Sequence, residues 1–229
     1  MGPMTAVQKK KFGALEALEI CPQEYAQVVV LLHGYGANMG DLIGLSQLNH
    51  QTRWICFNAP VLLGTQMEHE FRAWFDFPQE LLASSTQARE YSGFIEHCRE
   101  GFEEAYSALV NALENIGEPP EKIRIGGFSQ GALMAIHCFL NSKDDLHSLL
   151  CLSGMNPKIL GWEELISKRT PRPVFQSHGT EDPLLDFFCA EDLAKCFKSH
   201  AWPIEWHPFE GGHQIPPAVI ASLRSFISK

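Results

Sequence analysis

The sequence predicts an α/β fold, a mostly parallel central sheet with helices on both faces. Three observations predict it. The apolar, β-branched run Val28 to Leu32 reads as a strand covered on both sides, and it ends in the glycine-rich turn His33-Gly34-Tyr35-Gly36. A helix candidate at Asp41 to Leu48 and a second strand at Arg53 to Phe57 follow at once, a βαβ pattern closed by Asn58-Ala59-Pro60. Farther along, strand candidates at Lys122 to Phe128, Ser148 to Ser153, Pro173 to Ser177 and Ile204 to Phe209 are separated or followed by helical patterns at Gln130 to Leu140, Asp186 to Phe197 and Pro217 to Ile227.

Between these regular parts lie two informative segments. Residues 61 to 92 are rich in aromatics (Phe71, Trp74, Phe75, Phe77, Tyr91) but show no clear period, as expected of an irregular lid or pocket wall bordering a substrate groove. The clearest helix follows: Phe94, Cys98, Phe102, Ala105, Leu109, Leu113 and Ile116 recur every three or four residues until Gly117, Pro119 and Pro120 end it. There is no internal repeat and no linker composition, so one domain is expected over residues 1 to 229.

Composition narrows the function classes. A net charge of −9 argues against a nucleic-acid backbone as partner. Seven cysteines, an odd number with no C-x-x-C pair, fit a reduced cytoplasmic protein without a disulfide framework or structural zinc. Lys9 to Lys11 precede Glu16 and Glu19 rather than an apolar run, so no signal peptide is expected, and no stretch is long and apolar enough for a transmembrane segment. Pro3 and Ala6 do not fit an N-myristoylation motif.

The chemistry gathers on later loops. Gly127-Phe128-Ser129-Gln130-Gly131 is a G-x-S-x-G sequence set between a strand and an apolar helix. A nucleophile on so sharp a turn needs residues without Cβ two positions away on each side, where a side chain would collide with the strand or helix. A serine that merely caps the helix is the plain alternative. A serine hydroxyl needs a base, and among ten histidines His213, in Gly211-Gly212-His213 beyond the last strand, is the candidate; His207 inside the strand and His200 before it fit less well. The base needs a carboxylate to fix its tautomer. Asp182, in His178-Gly179-Thr180-Glu181-Asp182-Pro183, is preferred because the Asp-Pro step fixes the loop, with Glu181 adjacent. Acyl transfer also needs two backbone donors for the oxyanion; the N–H groups of Tyr35 and Gln130 are the candidates. The Gly34 turn lacks G-x-G-x-x-G or a G-K-[ST] ending, so no nucleotide cofactor is expected, and no metal either.

Taken together, Leu32-His33-Gly34-Tyr35-Gly36, Ala73-Trp74-Phe75-Asp76, Gly126 to Gly131, His178-Gly179-x-x-Asp182-Pro183 and the Gly-Gly-His213 turn resemble the phospholipase/carboxylesterase group of α/β-hydrolases, which includes acyl-protein thioesterases. The resemblance implies an α/β-hydrolase fold with no separate cap domain and a Ser129–Asp182–His213 triad. It also implies an oxyanion hole from Tyr35 and Gln130, and substrates that are small-molecule or lipid-acyl esters or thioesters, acylated protein among them. By the same analogy Trp74 borders an acyl groove; the other reading of Trp74 is a core aromatic beneath the loop. Asn38 and Ala132 depart from the thioesterase branch, outside the triad positions, and tilt the expectation from lipidated protein toward a small ester. A binding protein on an inactive hydrolase scaffold is the rival of another class, and every triad residue type is present.

Overall fold

A computed structural model describes residues 6–229, so Pro3 and the first five positions of the expected domain lie outside it. In chain order the strands are β1 (Gln8–Phe12), β2 (Leu15–Ile20), β3 (Gln27–Leu32), β4 (Thr52–Phe57), β5 (Val61–Gln66), β6 (His69–Ala73), β7 (Ile123–Phe128), β8 (Ser148–Leu152), β9 (Val174–Gly179) and β10 (Ile204–Phe209). The helices are α1 (Gln79–Ala88), α2 (Ser92–His97), α3 (Arg99–Glu114), α4 (Gln130–Asn141), α5 (Trp162–Lys168), α6 (Phe187–Ser199) and α7 (Pro217–Ile227). Eight strands form one sheet in the order β1-β2-β4-β3-β7-β8-β9-β10. From β4 to β10 every neighbouring pair is parallel, while β1 and β2 add an antiparallel edge.

The pleat divides the core. Val28, Val30 and Leu32 of β3 belong to the core on the side covered by α3, α4 and α6, whereas Val29 and Leu31 belong to the core on the other side, with Leu223 and Phe226 of α7 and Leu45. Both sets are fully buried, which is why β3 needs an unbroken apolar run; each side chain contributes about 1.5–3 kcal/mol by leaving water. Helix α4 crosses the middle of the sheet with every residue from Gln130 to Leu140 buried, so a charge at Ala135 or Met134 would meet no solvent.

The structure departs from the sequence expectations in five places. Residues 61 to 92 are ordered: β5 and β6 make a hairpin and α1 follows. The pairing register shifts between Leu62 and Gly64, which breaks the two-residue alternation, and the tight turn carries Met67 at φ 55° instead of a glycine or asparagine, so neither hairpin signal is present. The helix around 94 to 116 is two helices, α2 and α3, jointed at Cys98 (φ −92°, ψ 2°), although the apolar stripe runs through both. The segment at 41 to 48 is a 3₁₀ turn, Ile43–Leu48. In addition, the lysine run forms the exposed edge strand β1, where Lys9 pairs with Glu16 at 2.9 Å and Lys10 with the buried Glu19. Charge on a sheet edge discourages pairing with another strand. Helix α5 was likewise unmarked in the sequence.

Candidate active site

The parallel strands β3, β7, β9 and β10 all finish at one end of the sheet, and Tyr35, Ser129, Asp182 and His213 lie on the turns that follow them. Ser129 joins β7 directly to α4 with φ 57° and ψ −119°, a strained conformation for a residue with a side chain. Its N–H donates to Leu152 O at 3.0 Å, and its carbonyl accepts from Ala132 N and Leu133 N at 2.9 and 3.2 Å. The two flanking glycines are sterically required. A Cβ on Gly127 would lie 2.4 Å from the Gly131 carbonyl, and one on Gly131 would lie 2.1 Å from Leu32 O and 2.5 Å from His33 O. Position 131 therefore packs against the end of β3 as well as closing the turn.

That contact brings the Tyr35 turn to the serine. A Cβ on Gly34 would lie 3.4 Å from Ser129 Cβ. The turn is held from several sides. His33 is buried; its Nδ1–H donates to Gly34 O at 2.8 Å, and its Nε2 accepts from Ala59 N–H at 3.0 Å. Burial pushes the His33 pKa down to about 4, which keeps this tautomer neutral. Gly36 N–H donates to Arg72 O at 2.8 Å, and Arg72 N–H donates to Ala37 O at 2.9 Å, so β6 pairs with the turn. Asn38 donates to Glu70 O at 3.0 Å and accepts from Gly40 N–H; a carboxylate at 38 would have no proton for Glu70, which gives the departure at this position a physical reason. The Tyr35 hydroxyl donates to Asp76 at 2.7 Å, and its pKa rises to about 12 through burial and then the Asp76 carboxylate. Among the described residues, neither the Tyr35 nor the Gln130 backbone N–H donates a hydrogen bond within the protein.

Trp74 stands behind this turn. It is fully buried and donates its indole N–H to His33 O at 3.0 Å, so it offers a ligand no surface. Its place is beneath the loop, and the expectation that it borders a groove does not match its burial. The Gln130 side chain completes the brace: it accepts from Trp74 N–H at 2.9 Å and donates to Phe75 O at 2.6 Å. Beyond it, Asp76, Phe77 and Pro78 meet His97, Cys98, Glu100, Gly101 and Glu104 around a surface depression of about 660 Å³ whose lining includes none of Ser129, Asp182 and His213.

The acid and base loops are joined by backbone. Thr180 N–H donates to Phe209 O at 2.9 Å and Glu181 N–H to Gly211 O at 3.0 Å, while a Cβ on Gly179 would lie 2.3 Å from both Gly211 O and Gly212 O. Asp182 Oδ2 then meets His213 Nδ1 at 2.6 Å. Glu181 is exposed, so Asp182 is the carboxylate on the imidazole. The other Asp182 oxygen accepts from Leu184 N–H and Leu185 N–H at 2.9 and 3.0 Å. Burial alone would raise the Asp182 pKa, but hydrogen bonds from His178 and His213, the His213 charge and the Leu185 N–H hold it well below the usual carboxylate range. The His213 ring packs on Phe128, next to Ser129, with centroids 4.7 Å apart. His207 instead stacks on Phe175, and His200 bonds to Cys196 O at the end of α6.

An open, mostly parallel sheet, a strained strand-to-helix serine and no inserted cap define a hydrolase of the α/β-hydrolase fold. The comparisons with known proteins are more specific. The phospholipase/carboxylesterase family model matches residues 16–229, and the chain belongs to that family, acting as a serine hydrolase on esters or thioesters. Acyl-protein thioesterase 1 of Debaryomyces hansenii is 23% identical over 212 residues, covering 87% of this chain and 89% of that protein. Its counterpart in Eremothecium gossypii is 34% identical over 140 residues, 56% of this chain and 57% of its own. Among solved structures, esterase PE8 superimposes with a TM-score of 0.71 at 22% identity, covering 98% of each chain, and Zea mays acyl-protein thioesterase 2 with 0.66 at 20%, covering 93% and 97%. These two share the fold.

Sequence reasoning missed four supporting groups: His33, the Trp74 indole bond, the Gln130 side chain and His178. Each lies inside a motif already singled out, but a partner far away in sequence is what reveals its part.

Proposed function

We propose that this chain hydrolyses carboxylic esters and thioesters of acyl groups through an acyl-enzyme on Ser129. The observation that carries the reading is the 2.6 Å contact between Asp182 and His213 Nδ1, with the same imidazole packed on Phe128 beside the strained serine. A carboxylate at Nδ1 leaves Nε2 bare, the form that accepts the serine proton. Ser129 Oγ attacks the acyl carbonyl while His213 takes its proton. The oxyanion forms against the N–H groups of Tyr35 and Gln130, both free of protein acceptors. His213 then protonates the departing alcohol or thiol. Water, deprotonated by His213, attacks the acyl-enzyme, and collapse of the second tetrahedral species releases the acid and returns the proton to Ser129. No cofactor or metal enters these steps.

The names of the fungal relatives support acyl thioesters, acylated protein included, as substrates beside small esters and lipid-acyl esters. All seven cysteines are free, which supports a reducing, cytoplasmic setting, and the single eight-stranded sheet supports one domain. The test is a series of p-nitrophenyl esters and acyl-CoA thioesters of rising chain length, run on the native chain and Ser129→Ala. Turnover of at least one class that disappears in the variant is expected; unchanged turnover in folded Ser129→Ala overturns the reading.

A further inference from the structure

His178 is the second histidine on Asp182, and the reaction outlined above does not use it. It is the penultimate residue of β9 and has no exposed surface. Its Nε2 lies 3.2 Å from Asp182 Oδ2 and 2.9 Å from Leu185 O. Both neighbours are acceptors, so Nε2 carries the proton; a bare Nε2 would set a lone pair against two others. The second nitrogen, Nδ1, is buried without a partner, which a bare lone pair tolerates better than an N–H would.

This places His178 at the centre of the Asp182–Leu185 turn. Leu185 N–H binds Asp182 Oδ1 while Leu185 O faces His178, so one ring N–H spans both ends of the turn. Asp182 Oδ2 accepts from His213 Nδ1–H, and His178 Nε2 lies 3.2 Å from the same oxygen while its N–H bonds Leu185 O. With His178 removed, backbone N–H groups still fix Oδ1, but Oδ2 is restrained only by His213, the group it is supposed to orient. Rotation about Cβ–Cγ then becomes available to the carboxylate.

We propose that His178 is a positioning residue for the hydrolysis: its Nε2–H, bonded to Leu185 O and 3.2 Å from Asp182 Oδ2, closes the turn that carries the acid and keeps Oδ2 at His213 Nδ1. The proposal rests on the reading of Asp182 as the partner of His213. It also assigns the histidine of the His178-Gly179-x-x-Asp182 motif a role separate from that of Gly179, which makes room for the base loop.

The experiment compares His178→Phe, His178→Gln and His178→Asn with Asp182→Asn. Phenylalanine fills the space and donates nothing. The glutamine amide nitrogen lies as many bonds from Cα as Nε2, and the asparagine amide stops one atom short. His178→Phe is expected to lower kcat about 10- to 100-fold, the cost of a misplaced catalytic group, with KM little changed. Glutamine should restore most of the lost kcat and asparagine should not. Nitrogen-15 NMR of histidine-labelled native chain should show His178 protonated at Nε2 and bare at Nδ1. The low-field Nδ1 proton of His213 should persist in the glutamine variant and be lost in the phenylalanine variant. A His178→Phe enzyme with native kcat, or a native His178 protonated at Nδ1, overturns the proposal. Should His178→Phe fail to fold, the native tautomer and the glutamine–asparagine pair decide it. An Asp182→Asn enzyme of full activity would refute the reading of Asp182 itself; a crippled Asp182→Asn beside an unaffected His178→Phe refutes only the part given to His178.

Discussion

Gly131→Ala tests whether the serine turn and the Tyr35 turn work as one unit. The added methyl would sit 2.1 Å from Leu32 O and 2.5 Å from His33 O, both backbone atoms at the end of β3. Reaching ordinary contact requires roughly 1 Å of separation between α4 and that turn, since carbon contacts relax only near 3.5 Å. The Gln130 N–H rides on α4 and the Tyr35 N–H on the turn, so this movement opens the distance between the two oxyanion donors. Misplacing reacting groups by about 1 Å costs on the order of 100-fold in rate. Losing one oxyanion donor costs about 2.7–4 kcal/mol. Steady-state hydrolysis of p-nitrophenyl butyrate should therefore show kcat lower by about 100-fold or more with KM nearly unchanged. Near-ultraviolet circular dichroism establishes that the variant is folded. Gly44→Ala is the control: nothing lies within 4 Å of its added methyl and its φ is not positive, so its activity should match the native chain. A folded Gly131→Ala enzyme with native kcat would refute the coupling of the two turns.

Two further outcomes follow from buried polar groups. Gln130→Leu strips Trp74 N–H and Phe75 O of their partner inside the core; at about 1–3 kcal/mol for each orphaned group, the melting temperature should fall by several degrees in a thermal scan. His33 and His137 both have pKa values pushed down to about 4 by burial, so below pH 6.5 the unfolded chain binds protons that the folded chain refuses. Their contribution is complete above the unfolded value and is lost as pH falls from 6.5 toward 4. Near pH 5 these two alone give an uptake of about two protons on unfolding, so urea titrations should show stability dropping by about 2–3 kcal/mol per pH unit there. A flat profile between pH 6 and 4.5 would contradict their burial as neutral rings.

The parts of this fold legible in the sequence are those where one local cause decides the outcome. The strand β3 and the helix α4 are buried on all sides and announce themselves as apolar runs; β10 and α7 have the bounds their patterns gave. The hairpin of β5 and β6 escaped because its bulge at Leu62 to Gly64 shifts the alternation and its turn residue Met67 pays no heed to the usual turn chemistry. The edge strands β1 and β2 escaped for another reason: Glu19 looks solvent-facing until Arg53, brought by β4, closes on it at 2.8 Å. In the site, the candidates Ser129, Asp182 and His213 stand out in the sequence because each follows a strand in a recognisable turn. The Asp-Pro step favours Asp182 over Glu181 in the sequence, but its meeting with His213 depends on the Gly179–Gly211 packing, and the burial of Trp74 depends on His33, 41 residues away. Long-range hydrogen bonds of this kind leave no local pattern.

The central claim, that Ser129 is the nucleophile and His213 its base, is tested most directly by intact-protein mass spectrometry after treatment with a fluorophosphonate. A single adduct per chain is expected, mapping by peptide analysis to Ser129, absent in Ser129→Ala and formed far more slowly in His213→Ala. An adduct elsewhere in the chain, or equal labelling of folded Ser129→Ala, would contradict it.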